Sequence, residues 1–134
     1  MPPFYLNVAS LLFVVSATAI IGWHREINHR TSDSVNIADA VLAVHAAYLA
    51  AQQIVIGAIL TGVNVPDLVR ACMVLLFYFE PLFATVAICG IFPFVVARMV
   101  QPNDRRYASA QAGLLILGAA CTVLQVIEAG RAFP

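Results

Sequence analysis

Four stretches of this chain, residues 4–23, 38–63, 72–97 and 109–129, are long, apolar and almost free of charge. A helix needs about 20 mostly apolar residues to cross about 30 Å of hydrocarbon, and each stretch meets that length. The first has no charged residue, and the others have one acid each: Asp39, Glu80 and Glu128. A membrane β-barrel would instead show many alternating segments of about 10 residues. These runs are continuous and rich in Ala and Leu, so they predict an all-α integral membrane bundle of four transmembrane helices. Short connections make sequential helices antiparallel neighbours within a single domain, residues 1–134.

Composition agrees. Of the 134 residues, 62% are hydrophobic and 10% are charged, with zero formal net charge and a mean hydropathy of +0.90. Soluble domains are roughly one quarter charged. A nucleic-acid binder would need clustered basic residues, and a disordered chain would be polar and charge-rich. Nucleic acid is therefore not an expected partner. The lipid bilayer is, together with other membrane subunits or further copies of the chain.

Most of the charge lies in the connections. Residues 24–37 and 98–108 contain Arg25, Arg30, Arg98, Arg105 and Arg106, whereas the opposite side has only Arg70 and Arg131. Arginine prefers the cytoplasmic side, so both of these connections are expected in the cytoplasm and both termini outside. Nothing basic precedes the first run, which is expected to be retained and not cleaved as a signal. Trp23, Tyr5 and Tyr107 fall where aromatic rings favour the membrane interface.

Polar side chains within hydrocarbon are costly and mark candidate sites. His45, Tyr48 and Gln52 are spaced i, i+3 and i+7 and share one helical face, with Gln53 beside it. Such a face suits a haem b ligated through His45, a quinone carbonyl, or hydrogen bonds to a neighbouring helix. A second haem ligand would have to come from His24 at the end of the first run, or from another subunit.

Glu80 is the acid placed deepest in a run, and Pro81 follows it. Proline frees the carbonyl four residues back, that of Phe77. This makes Glu80 a proton or cation candidate, against the plainer reading of a neutral acid hydrogen-bonded to another helix. Gly118, Cys121, Gln125 and Glu128 form a small and polar stripe on the fourth run, placing Gln125 and Glu128 with Glu80 in an outer-leaflet pocket. Cys72, Cys89 and Cys121 lack metal or redox spacing and read as packing residues. The polar cluster at residues 24–30 reads as a solvated turn or a lipid-phosphate contact.

No hydrolase, zinc-protease or nucleotide-binding motif is present, and the loops are too short for a soluble catalytic site. The leading expectation is a non-catalytic subunit of a larger energy-transducing membrane complex, holding it together by helix packing. One alternative is an electron-transfer anchor that binds haem b or quinone at His45. Another is a small proton- or cation-coupled transporter using Glu80. Bound lipid is expected in each case.

Overall fold

The computed structural model describes the backbone of residues 3–28, 33–62, 64, 66–103 and 105–132. Side chains are described for these residues except 3–7, 24–28, 33–36, 73, 74, 131 and 132. The chain forms four helices: α1 (Pro3–Asn28), α2 (Asp33–Leu60), α3 (Asp67–Arg98) and α4 (Arg105–Ala132). Three described segments are long and apolar enough to cross a membrane: Ile37–Leu60, Asp67–Arg98 and Arg105–Gly130. The described apolar part of α1, Val8–Trp23, is shorter. The chain is thus a multi-pass helical membrane protein.

α2 stops at Leu60, short of the expected residue 63, but elsewhere the helices run past the apolar stretches, so the connections are shorter than the sequence suggests. Asp67 and Arg70 lie in the first turn of α3, and Arg105 and Arg106 open α4. Polar residues continue a helix into the interface because intrahelical hydrogen bonding satisfies the backbone there as well as water does. Asp67 at the start of α3 and Arg98 in its last turn also complement the helix dipole. Pro81 and Pro93 lie inside α3 without ending it.

The α2–α3 connection reverses through Gly62, whose φ of +81° is left-handed backbone that only glycine adopts readily. The Gly62 amide donates to the Ile59 carbonyl, and the Thr61 hydroxyl donates to the Gly57 carbonyl at 2.7 Å. Together these satisfy carbonyls left open at the end of α2.

Helices α2 and α4 occupy the centre: each packs against all three others, whereas α1 and α3 do not touch among the described residues. The cross-section is a rhombus with α2 and α4 on its short diagonal. On α2 the buried positions Leu42, His45, Leu49, Gln52 and Ile56 recur at three and four residues, the period of one helix face. On α3 they are Glu80, Ala84, Ile91 and Val95. The rest of α3, including Leu75, Tyr78, Phe79, Leu82 and Phe94, is exposed and suited to lipid.

Two apolar clusters fill the interior. One, around Leu42, Ile91, Val95, Ala108 and Leu115, joins α2, α3 and α4. The other, around Leu11, Val14, Ala46, Leu49 and Cys121, joins α1, α2 and α4. All three cysteines are free; Cys121 packs inside, but Cys72 and Cys89 are exposed on α3.

Candidate functional site

The buried face of each core helix carries polar side chains as well as apolar ones, and the packing brings them to one seam. Asp39, His45, Gln52 and Gln53 come from α2, Glu80 from α3, and Gln111, Thr122, Gln125 and Glu128 from α4. From Gln111 to Glu128 the seam extends about 25 Å at 1.5 Å per residue.

Its centre is a three-helix cluster. His45 Nδ1 lies 3.0 Å from Glu80 Oε1, with side-chain exposures of 0% and 1%. This close approach makes no aligned hydrogen bond, because the in-plane direction of Nδ1 misses the oxygen. The directional contacts belong to Thr122. Its hydroxyl donates to Glu80 Oε1 at 2.9 Å and lies 3.2 Å from His45 Nε2, from which it accepts when that nitrogen carries the proton. The Gly118 carbonyl also lies 3.1 Å from this hydroxyl. A hydroxyl has one hydrogen for these two acceptors, and the shorter contact, to a carboxyl, is the stronger when that group is ionised.

Gly118 makes the arrangement possible. A Cβ there would come 2.8 Å from His45 Cδ2 and 3.1 Å from Nε2. The imidazole therefore occupies space that any other residue would fill. Phe83 closes the other side, its ring centroid 6.5 Å from that of His45 and 5.4 Å from that of Tyr48.

Outward from the cluster the seam changes character in each direction. Toward the start of α2, Leu42 and Leu115 are fully buried and interrupt it. Beyond them Gln111 Nε2 donates to Asp39 Oδ1 at 2.7 Å, a buried contact. Toward the end of α2, Gln125 Nε2 donates to the Leu49 carbonyl at 2.9 Å. That carbonyl accepts a further bond without losing its helical one, since it has two lone pairs. The Gln52 amide, one turn on and 1% exposed, makes no hydrogen bond among the described residues, and Glu128 is 3% exposed.

The sequence-derived candidates are thus regrouped. His45 and Glu80, read as parts of two separate sites, are direct neighbours. Glu80 sits with His45 and Thr122, whereas Gln125 bonds to α2 and Glu128 lies a turn further along α4. The face shared by His45 and Gln52 is buried as its spacing implied, but Tyr48 is half-buried against Phe83. His24 is in the last turns of α1, and its side chain lies outside the described residues.

Sequence reasoning missed Thr122, Gln111 and Asp39 as members. The signal for Thr122 was its i+4 spacing from Gly118, one position from the stripe through Cys121. No group of three or more His, Cys, Asp or Glu able to hold a metal occurs among the described residues.

Fold and site together define a multi-pass membrane bundle with a buried ionisable pair at its core. Beyond that class, comparison with known proteins adds nothing: no family model, no curated protein and no solved structure matches the chain.

Proposed function

We propose that this protein handles protons within the membrane, as a proton-coupled carrier or relay in which His45 and Glu80 form the proton-binding site. The observation that carries the reading is the 3.0 Å approach of an imidazole and a carboxyl, both sealed from solvent and bridged by Thr122. Ionisable groups at such depth are functional candidates by default. An imidazole and a carboxyl are both proton-binding groups, so one can receive the proton that the other releases. Thr122 supplies the hydrogen-bonded route between them: its hydroxyl accepts from Nε2 while donating to Oε1.

The seam is broken on both sides of the pair. Leu42 and Leu115 separate the pair from Asp39 and Gln111, while on the other side Gln52, Gln125 and Glu128 alternate with the buried Leu49 and Ile56. An open channel would need an unbroken polar path. A broken one fits a gated site, and Gln52, Gln125 and Glu128 favour proton exchange from the Glu128 end. With α1 read as a fourth crossing, the arginine bias supports a topology in which that end and both termini lie outside.

The test is proton flux in proteoliposomes carrying a pH-sensitive dye. Glu80→Gln, nearly isosteric and unable to ionise, should abolish flux, and Gln111→Leu should leave it largely intact. Equal flux in wild type and Glu80→Gln would overturn the reading.

A second reading, an accessory subunit of an energy-transducing complex, is favoured by one specific feature. Between α1 and α2 runs an open cleft of about 570 Å³, lined by Ala19, Gly22, Ala40, Ala43 and Ala47. Small residues of this kind let another helix approach closely. Gentle extraction should then co-purify a stoichiometric membrane partner, lost on Ala43→Leu. The haem reading has less behind it, because an iron at Nε2 would have to displace Thr122.

A further inference from the structure

At the end of the bundle where α4 begins, a separate cleft of about 460 Å³ opens between α1 and α4. Its walls are Ile20, Ile21 and Ala110, and its rim carries Asn103, Arg106 and Tyr107. We infer that this cleft binds one anionic phospholipid, with the phosphate at Arg106 and an acyl chain along Ile20, Ile21 and Ala110.

Three observations combine. Arg106 is exposed and forms no hydrogen bond or ion pair with a described residue. Its neighbour behaves differently: Arg105 Nε is turned to the Met99 carbonyl at 3.3 Å. A free guanidinium above an apolar trough matches an amphiphile with an anionic head, because a planar cation with several donors grips phosphate oxygens in pairs. The level is right as well. Trp23, one turn from Ile20 and 70% exposed, is the ring type that settles at the headgroup boundary.

The charge balance favours an anion there. Residues 98–108 hold three arginines, Arg98, Arg105 and Arg106, against the single acid Asp104, so this end is basic. A zwitterionic lipid would bring its own cation into that cluster. An anionic lipid would not.

This inference is independent of the His45–Glu80 reading, since the two occupy different helix interfaces. It is tested by native mass spectrometry of the purified chain, titrated with phosphatidylglycerol or phosphatidylcholine of the same acyl length. Wild type should retain phosphatidylglycerol several-fold more than phosphatidylcholine. Arg106→Gln should lower that retention to the phosphatidylcholine level, while Arg70→Gln, at the opposite end, leaves it unchanged. Ala110→Trp, which fills the trough and keeps the arginine, should reduce retention of both lipids.

Equal retention in wild type and Arg106→Gln would overturn the proposal. So would equal losses in Arg106→Gln and Arg70→Gln, which would mean diffuse attraction with no site. Displacement of the lipid by inorganic phosphate alone would also overturn it, since the acyl trough would then contribute nothing.

Discussion

The two sides of α2 are built on opposite plans. Facing α3 and α4 it presents His45 and Gln52 to a seam closed to solvent, with Glu80, Thr122 and Gln125 opposite. Facing α1 it presents Ala40, Ala43 and Ala47 to an open cleft. In lipid, apolar surface gains nothing by being hidden, so packing quality and hydrogen bonds hold helices together. The first side specifies the bundle through directional polar contacts; the second leaves room for something else. Substitutions on the seam should therefore be costly, and substitutions in the cleft should not.

The largest effect is expected from breaking the central pair. His45→Leu with Glu80 retained leaves a buried carboxyl with only the Thr122 hydroxyl and no imidazole beside it, and should destabilise by about 3–5 kcal/mol if the pair is ionised. The double replacement His45→Leu and Glu80→Leu should recover most of that loss in detergent melts. No recovery would mean that the two side chains are not coupled.

Next comes Gly118→Ala, whose added methyl meets the imidazole at 2.8 Å. Overpacking of this kind costs about 1–3 kcal/mol. The displaced His45 should also show a shifted imidazole resonance by NMR, and an unchanged imidazole signal would contradict the proposed fit.

Thr122→Val removes the hydroxyl but keeps the shape. Hydrogen bonds between membrane helices are worth about 0.6–1.7 kcal/mol, so a loss in that range is expected from thermal unfolding. Proton flux should fall further than stability does if Thr122 is a relay. The smallest effect belongs to the open side: Ala43→Leu should change the stability of the isolated chain by about 0.5 kcal/mol or less. A larger loss would show that the cleft is part of the fold and not a place for a partner.

Much of the architecture was readable before any coordinates. Four charge-poor runs of sufficient length leave a helical bundle as the economical solution, and helices do form across all four. Their exact ends were less legible, because Asp67, Arg70, Arg105 and Arg106 look like loop residues by polarity yet sit comfortably in helical first turns.

The site was legible only in pieces. Spacing of i and i+7 put His45 and Gln52 on one face, and cost singled out Glu80. Which helix faces meet is decided by contacts between segments far apart in sequence, and no periodicity within one helix encodes those. Gly118 illustrates the limit. In the sequence it is one more small residue in an apolar run, and its meaning appears only when an imidazole from α2 is found in the space its missing side chain leaves.

The rhombic arrangement also bears on how the protein is made. Between its charged ends α3 is strongly apolar apart from Glu80 and can enter the bilayer on its own merits, whereas α2 brings Asp39, His45, Gln52 and Gln53 with it. The Asp39 carboxyl meets Gln111, and the Leu49 carbonyl meets Gln125, only once α4 has arrived. α4 is synthesised after the other three helices. Until then α2 would hold its polar groups against lipid, the translocation machinery or a chaperone, and truncation before α4 should yield a chain that quality-control proteases remove.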